Sequence, residues 1–82
     1  MKEYRIRYNW MIGRDSESGI KVTNDYKEAK QIFYSIVQGY EHDDSLSGYV
    51  IDNEISKPNV YHSYNPDNQS DGANVWIEEY DV

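Results

Sequence analysis

Between Tyr4 and Ile12 every even position is large and apolar or aromatic (Tyr4, Ile6, Tyr8, Trp10, Ile12), and the odd positions are Arg5, Arg7, Asn9 and Met11. A period of two held over nine residues dictates a half-buried strand, its inner face built from the even set and its outer face carrying both arginines. The chain that follows must return along that strand or cross it. Gly13–Gly19 is polar with a glycine at each end and reads as a hairpin loop. Ile20–Thr23 is then a short return strand, with Ile20 and Val22 expected to face inward.

The period next changes. Tyr26, Ala29, Ile32, Phe33, Ile36, Val37 and Tyr40 form one stripe at helical spacing. Thr23 or Asn24 is placed to cap this helix, Asp25 and Glu28 lie in its first turn, and Gly39 is the expected terminating residue. Glu41–Ser45 is an acidic loop. Ser47–Ile51 reads as a strand, Asp52–Glu54 as a turn, and Lys57-Pro58 as a break in regular structure. Val60–Tyr64 is a further short strand and Asn65–Gly72 a polar loop. Ala73–Tyr80 is a last strand with Val75 and Ile77 on one face and Asn74, Trp76, Glu78 and Tyr80 on the other. The order β-β-α-β-(β)-β specifies one α+β domain over residues 1–82: a single helix packed on one face of a mainly antiparallel sheet of four or five strands. The other sheet face would be open and carry Arg5, Arg7, Trp76 and Tyr80.

A chain of 82 residues without cysteine has neither disulfide nor thiolate metal site, so its stability must come from the apolar core, here rich in its nine Tyr and two Trp. The start Met-Lys-Glu-Tyr-Arg-Ile-Arg lacks the apolar segment of a signal peptide, and Gln31–Tyr40, the longest run without a charge, is too short to span a bilayer. A cytoplasmic protein with no membrane partner is expected.

Charge is distributed unevenly. Residues 1–30 hold seven of the eight Lys/Arg against five acids, a balance of +2; residues 31–82 hold Lys57 against ten acids, a balance of −9, which together give the net −7. Such a field disfavours direct binding to nucleic acid and favours a basic partner. The candidate partner-binding residues are Glu41, Asp43, Asp44, Asp52, Glu54, Glu78, Glu79 and Asp81, with Trp76 and Tyr80 supplying desolvated aromatic anchors. A second use of the open sheet face is homodimerisation anchored by Trp76, in a small accessory or structural protein of phage or bacterial origin.

No pattern for catalysis or a cofactor is present. His42 and His62 lie near Ser45 and Ser63 but without a nucleophile elbow or oxyanion loop, so no catalytic residue is assigned. Asp67, Gln69, Asp71, Gly72 and Glu78 fall at the spacing of a calcium loop. Asn74 stands where that loop needs an apolar residue, and Pro66 precludes the entering helix, so a polar loop ending in an Asp-Gly turn is the better reading, with no metal.

In size, acidity, lack of cysteine and abundance of Tyr, Asp and Glu, with Glu41–Asp44 and Glu78-Glu79-Tyr80-Asp81 as its most typical pieces, the chain resembles small phage-encoded inhibitors of bacterial defence, the anti-CRISPR and DNA-mimic anti-restriction proteins. That resemblance implies a stoichiometric, non-enzymatic inhibitor that blocks the basic nucleic-acid-binding groove of a nuclease complex in the host cytoplasm. The basic N-terminal half departs from the pattern, so the mimicry would be one-sided.

Overall fold

A computed structural model describes residues 1–52 and 59–82. Strand β1 is Lys2–Ile12, β2 Asp15–Thr23, helix α1 Tyr26–Glu41, β3 Val50–Ile51, β4 Val60–Asn65 and β5 Asn68–Asp81, with a 3-10 turn at Asp44–Leu46. The five strands form one sheet in the order β2-β1-β5-β4-β3, with every pairing antiparallel. α1 lies across one face, which makes this the α+β architecture that the periodicities specify. β5 sets the long dimension: its 14 residues at about 3.3 Å each account for the 43 Å principal extent.

Tyr4, Ile6 and Tyr8 of the even set of β1 pack with α1 in the core, as the alternation requires. Tyr4, Ile6, Phe33, Val37, Tyr61, Val75 and Ala29 form the buried core, and Tyr8, Ile32, Ile36, Tyr40 and Ile77 pack around it. Ile6 and Val75 are fully buried. Lys30 closes the start of the helix over the sheet, its Nζ donating to Asn59 Oδ1 at 2.8 Å.

Several boundaries differ from the sequence expectations. The first hairpin turns on two residues, Gly13 and Arg14, and not on a seven-residue loop. Gly13 has φ +61° and Arg14 has no positive φ, the arrangement of a type II′ turn, in which glycine tolerates the first central position. Because that turn pairs Ile12 with Asp15, the even residues of β1 oppose the odd residues of β2. Ile20 and Val22 therefore stand on the open face, 44% and 54% exposed, and do not face inward. Residues Lys21 and Glu17 take the helix side instead.

The helix cap is Asp25, whose carboxylate accepts from Lys27 N, while Thr23 Oγ1 accepts from Asp25 N. The helix runs through Gly39 to Glu41 and is capped by His42, whose N–H donates to Gln38 and Tyr40 carbonyls. The expected loop 65–72 is a tight turn at Pro66-Asp67, stabilised by Asp67 N donating to Asn65 Oδ1 at 3.0 Å, and β5 begins at Asn68. The proposed turn at Asp52–Glu54 and the break at Lys57-Pro58 lie, beyond Asp52, outside the described residues.

Candidate interaction site

The β1–β5 pairing brings the two ends of the charge distribution side by side. Its register sets Lys2 opposite Asp81 and Arg5 opposite Glu78. Lys2 Nζ contacts Asp81 Oδ1 at 2.8 Å, and Arg7 Nε contacts Glu78 Oε1 at 2.6 Å. Glu78 also accepts from Trp76 Nε1 at 3.2 Å and from the Tyr80 hydroxyl at 2.9 Å. The Arg7 guanidinium foremost, with these two donors, holds the Glu78 carboxyl down at about 2 against the opposing effect of desolvation. Arg5 stacks over the Tyr80 ring at 4.2 Å and pairs with Glu3 at 2.7 Å. Thus Trp76, Glu78 and Tyr80 do come together on the open face with Arg5 and Arg7, but as a mutually satisfied network. Trp76 is half-buried with its indole N–H engaged. Glu79 projects on the opposite face, in register with Tyr4.

The remaining acids lie elsewhere. Glu41 ends α1, and Asp43 and Asp44 follow it, all three exposed. Asp43 has a local duty, since its carboxylate accepts from Ser45 N at 2.9 Å and caps the 3-10 turn that buries Leu46. Among the described residues none of the three forms an ion pair, and the last turn of α1 carries no basic side chain. They sit where the helix dipole already places about half a negative charge. Asp52 is half-buried just past β3, where its N–H donates to the His62 carbonyl at 3.0 Å. Glu54 lies outside the described residues.

Glu41, Asp43 and Asp44 rim a concavity of about 440 Å³ floored by Tyr40, Leu46, Tyr49, Ile51, Tyr61 and Ser63. The Tyr40 hydroxyl is buried without a hydrogen-bond partner among the described residues. Burial, followed by its neighbours Tyr8 and Glu17, pushes that phenol up to about 12. Ser63 Oγ is likewise buried and makes no hydrogen bond of standard geometry, although it lies near enough to Tyr61 to oppose the upward shift that burial gives that phenol. Sequence reasoning found the acidic rim and missed this floor, because the concavity is created by the return of β4 beneath the helix end.

The calcium-loop spacing does not converge. Asp67 lies exposed in the turn, Asp71 is buried on the helix side and accepts from Gly13 N at 3.0 Å, and Glu78 is on the open face. Among the described residues no group of three His, Asp or Glu side chains could hold a metal ion. The two histidines are occupied locally: His42 Nδ1 lies 2.8 Å from the Gln38 carbonyl, and His62 Nδ1 bonds to Asn74 Oδ1. Among the described residues no helix is long and apolar enough to cross a membrane. No protein-family model matches the chain, and neither a curated protein nor a solved structure matches it.

Proposed function

We propose that this chain is a non-enzymatic interaction protein that presents the acidic end of α1 to a basic partner. One observation carries the reading. Glu41, Asp43 and Asp44 are exposed at the negative pole of the helix without compensating cations among the described residues, although the basic residues of β1 neutralise acids elsewhere. A carboxylate in the last turn of a helix, as Glu41 is, costs about 0.3–1 kcal/mol, a local conflict that a basic ligand would relieve. Tyr40, Tyr49 and Tyr61 beside them offer aromatic area for desolvated contact. Taken with the resemblance to phage-encoded inhibitors, the partner is the Lys/Arg-lined nucleic-acid groove of a host-defence nuclease complex, and the action is steric and electrostatic exclusion of the nucleic acid in the host cytoplasm.

The test compares retention of such a complex on the immobilised wild-type protein and on the Glu41→Lys/Asp44→Lys variant, at low and high salt. Salt-sensitive retention by the wild type that the variant loses is the expected result. Equal retention by the two, or retention unaffected by salt, overturns the proposal. Asp43 is left intact because its capping role would confuse binding with folding.

A further inference from the structure

Strand β2 forms one edge of the sheet. In a two-residue hairpin the residues flanking the turn form a hydrogen-bonded pair, and hydrogen-bonded and non-bonded pairs alternate from there. Starting from Ile12–Asp15, this assigns the backbone groups of Asp15, Glu17, Gly19, Lys21 and Thr23 to β1. The N–H and C=O groups of Ser16, Ser18, Ile20 and Val22 point away from the sheet.

Natural sheets blunt such edges with short strands, prolines, bulges or a covering element. Among the described residues β2 has none of these devices. It runs nine residues without proline, its register with β1 is unbroken, and all of its residues but Gly19 and Thr23 are exposed. It does carry an inward-pointing lysine, Lys21, which commonly guards an edge. Here the guard has a counterpart: Glu17 lies on the same face, and the two are symmetric about Gly19, the midpoint of the strand.

We propose that β2 pairs antiparallel with β2 of a second copy of this chain about a two-fold axis at Gly19, joining the two sheets edge to edge. In that register Ser18 opposes Ile20 of the second copy and Ser16 opposes Val22, so every outward N–H and C=O of the four residues gains a partner. Glu17 opposes Lys21 of the second copy, and Lys21 opposes Glu17, at non-hydrogen-bonded positions where side chains approach most closely. No like charges face each other. A register centred on Ser18 would leave Val22 outside the paired strand, and one centred on Ile20 would bring no opposite charges together. On the open face the two Ile20 side chains become diagonal neighbours, roughly 7–8 Å apart, and cover apolar surface that is exposed in the single chain.

The helices do not obstruct this pairing. α1 packs over β1 and β5, leaving a groove of about 390 Å³ between it and Lys21, lined by Ile32 and Ile36. Strands spaced about 4.8 Å apart would hold helices seated over β1 and β5 roughly 19 Å from each other, beyond the 8–10 Å of packed helices.

The experiment is sedimentation equilibrium of the full chain from roughly 10 µM to 1 mM, the range in which an interface of one strand pair is expected to associate. The wild type should move from 9.7 kDa toward twice that mass. Ser18→Pro deletes an N–H that points to the free edge and leaves the β1 ladder whole, so it should keep the wild-type circular dichroism and remain monomeric. Lys21→Glu should weaken association about tenfold by setting two carboxylate pairs face to face, and adding Glu17→Lys should restore it. A wild type that stays monomeric at the highest concentration overturns the proposal. So does a folded Ser18→Pro variant that dimerises like the wild type, or a charge-swapped double variant no tighter than Lys21→Glu alone.

Discussion

Replacing Gly39 with alanine should stabilise the protein, and the sign of the effect separates two physical pictures of where α1 ends. A glycine that terminates a helix commonly adopts a positive φ, and alanine there is strained by about 1 kcal/mol or more. In the structure the positive-φ glycines among the described residues are Gly13 and Gly48, and Gly39 lies inside the helix with its end two residues further on. A Cβ built at Gly39 meets nothing within 4 Å. Alanine then recovers the helix propensity that glycine forfeits, close to 1 kcal/mol in a helix interior and less in a terminal turn, so about 0.5–1 kcal/mol is expected. For a domain of this size that raises Tm by about 3–6 °C. Gly72 supplies the opposite control. A Cβ there would collide with the backbone carbonyl oxygen of Ser63 across the β4–β5 ladder, which cannot swing aside as a side-chain tip could. Gly72→Ala should cost about 1–3 kcal/mol, the usual cost of overpacking. Urea titrations followed by far-ultraviolet circular dichroism measure both. A Gly39→Ala variant less stable than the wild type would refute the helix end described here, and a neutral Gly72→Ala would refute the close approach of β4 and β5.

Three further perturbations test the site and its surroundings. Glu41→Gln removes a carboxylate from the negative pole of α1 and should stabilise the free protein by about 0.3–1 kcal/mol in thermal melts; destabilisation would mean that Glu41 has a compensating partner. Glu78 has its carboxyl lowered from the ordinary 4.5 to about 2, chiefly by Arg7, so its contribution is complete above pH 4.5 and disappears as pH falls toward 2. The acid limb of wild-type stability should accordingly be steeper over that window than that of Glu78→Gln, and parallel limbs would contradict the pairing. Tyr40→Phe deletes a buried hydroxyl that lacks a partner among the described residues, so stability should hold or rise by up to about 1 kcal/mol, and the phenol ionising near pH 12 should vanish from the ultraviolet titration. A loss of more than about 1 kcal/mol would show that the hydroxyl is bonded after all.

The parts of this fold that were legible in the sequence are those where a single face is apolar. Tyr4–Ile12 and the Tyr26–Tyr40 stripe announce their periods because one side of each meets the core and the other meets water. β2 hides its register because Ser16, Ser18 and Gly19 carry no pattern, and its two apolar residues fall on the exposed face. The first residues of β5, Asn68 to Gly72, have the composition of a loop. They become strand because β1 or β4 offers a ladder beside them, a tertiary demand that outweighs local preference. Glu41, Asp43 and Asp44 could be singled out by sequence, whereas the floor beneath them could not, since Tyr61 and Ser63 come from a strand whose place in the sheet no local pattern encodes.

The same logic decides how the charge asymmetry should be read. In the linear sequence it reads as a basic segment joined to an acidic one, with every acid of the second segment equally available to a partner. Antiparallel pairing of β1 with β5 alters this, because it lays the basic strand along the acidic one and ties Lys2 to Asp81 and Arg7 to Glu78. Glu78 and Asp81 thereby serve the sheet first. Reversing Glu78 would set two cations against each other on adjacent strands, and any loss of binding would be inseparable from damage to the sheet. Glu41 and Asp44 have no such intramolecular duty as ion-pair partners among the described residues, and the place of Glu41 in the last turn of α1 makes it a cost in the free protein. A residue that lowers stability where it stands and carries no structural load is where a function under selection leaves its mark. By that criterion the helix end is the part of this acidic chain through which a basic partner should be sought.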